Sequence, residues 1–562
     1  MSFFLSWTLT LILTVSPLLA QNSQPSGTLL IENVIDKIIE QENALAQRLA
    51  TLSPLIETYI QTMEPHPALG AVPTGDKYFL GKLDLSHSRE QKSLLPDSGW
   101  ISALGQHLKQ KYSVVFVPDG FVATILVDPN FEKSWYDFTY IRREFLGEVR
   151  CLVFDVQPKS RSTDSASFIG RIWVEDRDFN IVRFNGTRTR SSASKSDFHF
   201  DSWRENMGPG LWLPAYVYTE ETDLEYFLGM RKVRFKGQTR LWGYNSGRTN
   251  EHSELTSLTV EADNVEDRPP DADIILPLEA TRLWGRQAED NVLHRLETAG
   301  LLAPDGPVNK VLETVINNLE ITNKLDIQPP VRARVLLTTP IESFTVGNTI
   351  VLSRGFVDVL PDEASLALAL AHELAHIALG HSLDTKYAFN DRTFFEDEET
   401  FMRVALRRTQ KEESAADKAG IDYLKNSPYK DKVSGAALFL RAIKERSAEL
   451  PNLLRPHLGN TVAGKGEVNR MADLVPQAPK LDMERTEQIA ALPLGGRLKV
   501  DLWSNNIELI KAKNVTLQSP REKMPFEITP LFLYLTRPLK SGQSTTQNVE
   551  PESRNKQPRT AP

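Results

Sequence analysis

The chain contains little cysteine and no excess of basic residues. Its 562 residues include one cysteine, Cys151, so an intrachain disulfide is excluded. A net charge of −8 at pH 7 argues against a general nucleic-acid binder, and no nucleic-acid partner is expected. No G-x-G-x-x-G or P-loop pattern follows a predicted strand, so the sequence does not support nucleotide chemistry.

Long apolar runs are also scarce. After residue 20 no stretch of 18 apolar residues occurs, so no integral membrane span is expected in the mature chain. Residues 1–20 are apolar and end in a small residue, which is typical of a secretory signal peptide cleaved after Ala20. The sequence therefore predicts an exported protein, periplasmic or secreted, that begins at Gln21. A retained N-terminal membrane anchor is the alternative, because no Lys or Arg precedes the apolar core.

Histidine is rare, yet three of the ten histidines lie within residues 366–381, LALALAHELAHIALGH. The preceding Ala and Leu residues predict a buried helix, on which positions i and i+4 share one face. His372 and His376 can therefore offer two imidazole nitrogens to one Zn²⁺ per chain. Glu373, beside the metal but not bound to it, can take a proton from a zinc-bound water.

Three other interpretations of this H-E-x-x-H stretch are weaker. Composition alone would produce the pattern roughly 0.02 times in this chain. Two satisfied core histidines are possible, but burying His, Glu and His in an apolar helix is costly without a metal or other partners. A metzincin would need glycine and histidine where Leu379 and Ser382 stand, and Gly380 and His381 are each one position away.

The third ligand is sought downstream, in the predicted helix KEESAADKAGIDYL. Glu413 and Asp417 are four residues apart and share a face, so a carboxylate could join the two histidines and leave one zinc position open. Asp417 could hold a ligand histidine by its second ring nitrogen. Glu396 is the rival, but it lies at a predicted helix N-terminus, where negative charge is favoured without a metal. Small Ala415 and Ala416 favour close helix approach beside Glu413.

The run TVGNTIVLSRGFVDVLPDEASLALALAHELAHIALGH, followed by EESAADKAG, resembles the zinc peptidase family of HtpX, the CAAX prenyl endoprotease and BepA. The resemblance covers about residues 285–475. It implies a gluzincin-type metalloendopeptidase of envelope protein quality control. It also implies zinc binding by His372, His376 and Glu413, with Asp417 supporting them.

Two further elements of the family pattern can be located. A strand that contains Asn348, Thr349, Ile350 and Val351 precedes the metal helix, and it is expected to pair as an edge strand with extended substrate. The usual Asn-Ala-Phe just before that strand is replaced by Glu-Ser-Phe at residues 342–344. The later His-Pro and Arg of the family have the candidates His457 and Arg470, with a transition-state or structural role.

The sequence predicts a multidomain α+β fold with a mainly helical zincin-type core. An apolar stripe predicts a helix over residues 28–63 that Pro54 breaks or kinks, and β-branched and aromatic runs after it predict six to nine antiparallel strands. RLKVDLW and FLYLT predict strands again near the C-terminus. The predicted units are a signal peptide (1–20), a helical segment (21–74), an antiparallel β-domain (75–262), a linker (263–283), the peptidase domain (284–475), a small β region (476–539) and a disordered tail (540–562).

The predicted function is zinc-dependent cleavage of extracytoplasmic proteins or peptides. The pattern of the β-domain resembles the half-barrel of periplasmic lipoprotein carriers, which implies binding of a hydrophobic ligand, substrate or envelope partner. A plain supporting domain is an equal alternative. A chaperone or lipoprotein-binding module with a zinc core and little proteolysis remains the rival function. The intact Glu373 favours the enzyme, because a pure binder needs no base there.

Overall fold

The computed structural model describes most of the β-domain and most of residues 284–475, the predicted peptidase domain, which is called the peptidase region from here on. The residues that it describes are 26–66, 70–84, 90–93, 119–122, 124–128, 131–159, 167–189, 199–226, 231–244, 289–381, 406–464, 466–480, 498–500, 507–509, 526–528 and 530–537. The predicted signal peptide, linker and tail lie outside these ranges. Within them, no helix is long and apolar enough to cross a membrane.

The N-terminal helix is shorter than predicted. Helix α1 spans Ser26–Leu49, and strand β1 spans Leu55–His66, so the prediction of one helix over residues 28–63 is wrong in its second half. Pro54 has no N–H with which to continue a helix. The side chains of β1 then alternate between two sheet faces, so the β region begins at residue 55 rather than 75.

Ten antiparallel strands form one large sheet in the order β3-β2-β1-β10-β9-β8-β7-β6-β5-β4. Sequence analysis predicted six to nine strands, and the additional pairing comes from β1 between β2 and β10. The remaining strands are β2 (Gly70–Asp84), β3 (Glu90–Ser93), β4 (Tyr136–Leu146), β5 (Val149–Pro158), β6 (Ser167–Glu175), β7 (Ile181–Thr189), β8 (His199–Gly208), β9 (Leu211–Tyr226) and β10 (Arg231–Trp242).

Helix α1 packs on one face of the sheet, and a four-residue helix α2 (Asp119–Val122) lies in the same half of the chain. The buried positions Ile35, Ile38, Leu45 and Leu49 follow the helical period, and Glu42 fills the gap in that stripe. Arg204 of β8 donates two hydrogen bonds to the Glu42 carboxylate, at 2.7 and 2.8 Å, and both side chains are buried. A buried ion pair therefore holds α1 on the sheet.

The opposite face of the sheet meets the peptidase region through polar contacts. Glu57 of β1 accepts hydrogen bonds from the backbone N–H of Thr339 at 2.5 Å and from its hydroxyl at 2.8 Å. Asp76 of β2 accepts from the backbone N–H groups of Asn452 and Leu453 at 3.0 and 2.7 Å. The two parts of the chain are thus joined by hydrogen bonds that are buried at Glu57 and partly buried at Asp76.

The peptidase region combines helices with a three-stranded sheet of order β11-β13-β12, which confirms the mixed α+β character. Residues 289–298 are helical. The named elements are α3 (Pro307–Asn323), β11 (Arg332–Leu336), β12 (Ser343–Val346), β13 (Thr349–Ser353), α4 (Arg354–Val359), α5 (Glu363–Ala378), α6 (Gln410–Lys425), α7 (Val433–Arg446), β14 (Ala463–Gly464) and β15 (Glu467–Val468). Single 3₁₀ helices cover Lys430–Lys432 and Ala472–Gln477.

The expectation that Thr349–Ser353 is an edge strand is wrong. Strand β13 pairs with β11 in parallel on one side and with β12 antiparallel on the other. A two-residue turn at Gly347 and Asn348, with Gly347 at φ +55°, folds β12 back beside β13. The substrate strand predicted at Asn348 to Val351 is therefore central, and β12 is an edge.

The C-terminal region is only partly the predicted β unit. Strands β16 (Leu498–Val500) and β17 (Ile507–Leu509) pair antiparallel. The predicted strand FLYLT, residues 532–536, does not form a strand in the structure. This C-terminal segment, residues 526–537, lies on the ten-stranded sheet. The Gln61 amide donates to the carbonyl of Phe526 at 2.6 Å and accepts from the N–H of Ile528 at 2.8 Å. The segment thus packs on the N-terminal domain.

Candidate metal centre

Helix α5 carries the two histidines of the H-E-x-x-H pattern. Its N-terminus is capped by Asp362, whose carboxylate accepts a hydrogen bond from the N–H of Ser365 at 2.8 Å. Every residue from 364 to 376 is buried, as the Ala and Leu run predicts. The helix ends at residue 378, and Gly380 follows with φ +68°, a conformation that favours glycine.

Helix α6 approaches α5 closely because small residues lie between them. It begins with a capping box formed by Thr409 and Glu412. A Cβ on Gly420 would lie 3.0 Å from the carbonyl oxygen of Ala371, so glycine permits this approach. Ala416 is buried at the same face, whereas Ala415 is exposed. The prediction that Ala415 takes part in the contact is wrong, because its position points away from α5.

Three donor groups converge where the two helices meet. The Nε2 atoms of His372 and His376 are 3.2 Å apart. Each lies 3.4 Å from an oxygen of Glu413, His372 from Oε2 and His376 from Oε1. Tetrahedral ligands with zinc bond lengths of 2.0–2.1 Å would be separated by about 3.3 Å. All three residues are buried, and these ligand atoms could hold one metal ion.

The Glu413 carboxylate gives a test of whether a zinc ion fits this donor set. Its Oε1 atom is buried without a hydrogen-bond partner in the described structure, although it faces an imidazole nitrogen. A buried carboxylate oxygen left unpaired is costly, and a cation between the three groups would satisfy it. Two imidazoles and one carboxylate are also the donor set of many catalytic zinc sites. The residues present therefore fit zinc.

The second ring nitrogens of both histidines have partners. Nδ1 of His372 lies 2.8 Å from Oδ1 of Asp417, and Nδ1 of His376 lies 2.9 Å from Nδ1 of His381. Burial and Arg470 act to lower the pKa of His372, but hydrogen bonds to Asp417 and Glu413 outweigh them and raise it. The structure thus places Asp417 in the position expected of a supporting carboxylate.

Glu373 lies beside the converging groups and is held separately. Its Oε1 accepts hydrogen bonds from Nη1 of Arg470 and from Oγ of Ser343, both at 2.7 Å. Burial alone would raise the pKa of Glu373, yet the Arg470 guanidinium and the two histidines hold it below its ordinary value. Nε of Arg470 also lies 3.3 Å from Oε2 of Glu413, so this arginine bridges both carboxylates.

The other predicted site residues have different outcomes. Arg470 is in the site, whereas His457 is half-buried and is not one of the three residues whose donor atoms converge. Its backbone instead hydrogen-bonds the buried Glu342 carboxylate. The rival ligand Glu396 lies outside the described residues.

The outer edge of β12 lies beside Glu373. Ser353 N–H donates to the carbonyl of Glu342, so strand alternation turns the peptide groups of Ser343 and Thr345 away from β13. Two arginines reach these outward carbonyls, Arg470 to Ser343 at 3.3 Å and Arg408 to Thr345 at 3.4 Å. Sequence analysis assigned no role to Arg408. The only sequence feature that could have pointed to Arg408 is its position directly before Thr409, the N-cap residue of α6.

The comparisons with known proteins agree with this site. The model of "Peptidase family M48" matches residues 304–395, which include His372, Glu373 and His376 and end before Glu413. No curated protein matches the chain significantly.

Solved structures that match the chain do so at low sequence identity and low TM-score. A LolA superfamily protein from Nitrosomonas europaea is 12% identical, with 38% of this chain and 91% of that chain covered and a TM-score of 0.19. A DUF1329 family protein from Desulfovibrio piger is 10% identical, with 40% and 98% covered and a TM-score of 0.18. The MucA/MucB complex of Pseudomonas aeruginosa gives 8% identity, 37% and 93% coverage and a TM-score of 0.13. Similarity at this level carries no argument about function.

Proposed function

Residues 304–395 match the model of peptidase family M48, and from this premise we propose that the chain is a zinc endopeptidase that cleaves extracytoplasmic proteins. The observation that carries the proposal is the convergence of His372, His376 and Glu413 with one carboxylate oxygen unpaired. The extracytoplasmic substrate rests on the signal-like residues 1–20.

The proposed zinc ligands are His372, His376 and Glu413, with Asp417 orienting His372. When bound, the metal supplies Lewis-acid chemistry that makes water a better nucleophile at neutral pH. Glu373 acts as the general base in this proposal. Its Oε1 is engaged by Arg470 and Ser343, which leaves Oε2 to accept the proton and later to pass it to the leaving amine.

Arg470 is proposed to position Glu373 and to keep it ionised. A carboxylate that must accept a proton has to be deprotonated at the start of each turnover, and the adjacent guanidinium favours that state. Arg470 is itself buried among Glu373, Glu413 and the carbonyl of Ser343. Its removal would leave two buried carboxylates without their cation, so both catalysis and metal binding are expected to suffer.

The extended substrate is proposed to pair with the outer edge of β12, in place of the central strand β13. The outward peptide groups of Ser343 and Thr345 would be main-chain partners for any sequence, but both residues are buried, so a substrate could reach them only after this edge is uncovered. Because Ser343 also hydrogen-bonds Glu373, a chain on this edge would lie beside the base. Arg408 and Arg470 hold the two outward carbonyls, so the substrate must share or displace these contacts.

The experiment is casein digestion with and without a chelator, together with zinc content by atomic absorption. Glu373→Gln should keep zinc and lose nearly all turnover. Glu413→Gln should weaken zinc binding sharply, whereas Glu396→Gln should leave it near that of the wild type. Digestion that persists in the chelator would refute the zinc enzyme. A zinc-free Glu373→Gln protein would show that Glu373 is a ligand or a structural residue.

A binding or chaperone role with slight proteolysis is the second candidate. The observation that favours it is an open pocket of about 440 Å³ on the ten-stranded sheet, whose lining includes no residue of the metal centre. It combines apolar residues such as Val156, Ile169 and Trp173 with polar ones such as Asp155, Arg171 and Asn185. The test is whether the chain protects a client protein from aggregation. Equal protection by the wild type and by Glu373→Gln would support a binding or chaperone role. Loss of protection together with proteolysis would count against it.

A further inference from the structure

The two proposed histidine ligands differ in what supports them. A metal-binding imidazole usually donates its other ring N–H to a carboxylate, a carbonyl or water, which fixes its tautomer and orientation. His372 has such a partner in Asp417, at 2.8 Å. His376 instead has another imidazole, because its Nδ1 lies 2.9 Å from Nδ1 of His381. The sequence places His381 five residues after His376, in the turn that follows α5.

We propose that His381 is a positioning residue that orients His376 and fixes its tautomer, an inference that rests on the proposed zinc function. To bind a metal, Nε2 of His376 must present its lone pair, so the ring proton must be on Nδ1. Nδ1 of His376 is then the donor and Nδ1 of His381 the acceptor. His381 must therefore carry its own proton on Nε2.

His381 is itself held by its backbone. Its N–H donates to the carbonyl of His376 at 3.0 Å, which closes the turn after Gly380. Its carbonyl accepts a hydrogen bond from Nη1 of Arg408 at 2.6 Å, and Nη2 of Arg408 donates to the hydroxyl of Thr345 at 2.9 Å. The backbone of His381 is therefore held directly by α5 and, through Arg408, by the edge strand β12, and this places its ring beside that of His376.

Direct metal binding by His381 does not fit this arrangement. Its Nδ1 approaches Nδ1 of His376, whereas the converging ligand atoms are the Nε2 atoms and the carboxylate oxygens of Glu413. Nδ1 and Nε2 lie on opposite sides of an imidazole ring. His381 therefore acts on the centre through His376, and its removal should change zinc affinity without removing a ligand.

The test measures zinc affinity by titrating the metal-free full-length protein against a competing chelator. His381→Ala should bind zinc about 10-fold to 100-fold more weakly than the wild type. His381→Asn should retain most of the affinity, because its side-chain oxygen takes the place of Nδ1 and accepts the same hydrogen bond. His294→Ala, which removes an exposed histidine of the helix at residues 289–298, should bind as the wild type does. The visible spectrum of the Co²⁺-loaded protein should change in His381→Ala alone.

The outcomes separate this inference from the proposed function. A wild-type protein that binds no zinc would refute the metal centre itself. A wild-type protein that binds zinc no more tightly than His381→Ala would overturn the inference and leave the metal centre standing. Equal weakening in His381→Ala and His381→Asn would overturn the hydrogen bond as its cause. Circular dichroism of each variant establishes that the compared proteins are folded, and His381→Asn keeps the test decisive if the alanine variant is not.

Discussion

Glu57 links the ten-stranded sheet to the edge strand of the proposed active site, and its removal should weaken both. The carboxylate is buried and accepts hydrogen bonds from the N–H and the hydroxyl of Thr339 and from the hydroxyl of Tyr78 at 2.8 Å. Thr339 belongs to the loop that leads into β12, whose Ser343 holds Glu373. The contact therefore lies between the sheet and the catalytic base.

The cost of Glu57→Ala follows from the three donors that it strands. A buried donor left unsatisfied costs about 1–3 kcal/mol, so three of them set the loss of stability at about 3 kcal/mol or more. Glu57→Gln keeps one acceptor oxygen but turns an NH₂ group toward donors, so we expect roughly half of that loss. Because β12 loses its anchor, casein turnover should fall in both variants.

The assay is urea unfolding followed by tryptophan fluorescence, with casein turnover measured on the same preparations. Glu64→Ala is the matched control, because Glu64 is an exposed residue of the same strand. It should leave the urea midpoint and the turnover unchanged. If Glu57→Ala lost less than about 1 kcal/mol, below the cost of even one stranded donor, the buried junction would not stabilise the fold as argued.

Three further changes test other contacts. Gly420→Val should push α6 away from α5 and weaken zinc binding in a chelator titration, whereas Ala415→Leu, exposed on the same helix, should not. Glu42→Ala should cost about 3–5 kcal/mol in urea unfolding because Arg204 stays buried without its partner, and the double variant Glu42→Leu with Arg204→Met should recover most of that loss. Burial alone would raise the pKa of Glu175, but backbone amides and a guanidinium of the C-terminal segment hold it below its ordinary value of 4.5. Its contribution to stability is therefore present above pH 4.5 and lost as the pH falls through the lowered pKa, and Glu175→Gln should flatten stability curves measured in that acid range.

Sequence analysis predicted the metal helix well because its evidence is local. The spacing of His372 and His376 and the Ala and Leu run around them are properties of one helix, and the structure has that helix. The pairing of Glu413 with Asp417 is also a local pattern, although the approach of its helix depends on Gly420, which carried no role in the prediction. The match to peptidase family M48 confirms the resemblance drawn from these residues.

The errors arose where distant contacts decide. The residues of β1 continue the apolar stripe of α1. Glu57 and Gln61 depart from the rule that polar side chains are exposed, because both are buried in polar junctions. Which strand is an edge depends on which later strand pairs with β11. No local pattern predicts that this strand is β13, which has neighbours on both sides. FLYLT has strand-like residues but lies where it has no strand partner in the described structure.

The C-terminal segment can join the fold only after the sheet that it contacts has been synthesised. Gln61 bonds Phe526 and Ile528 across 465 and 467 positions of the chain, and Phe532 packs edge-on against Trp203. A growing polypeptide leaves the ribosome from its N-terminus, so the sheet can form long before these residues exist. During that interval the surface of the sheet that the segment contacts is uncovered, and its docking has to wait for contacts of long sequence separation. A nascent chain arrested before residue 526 would leave that surface of the sheet exposed, and this exposure would distinguish it from the complete protein.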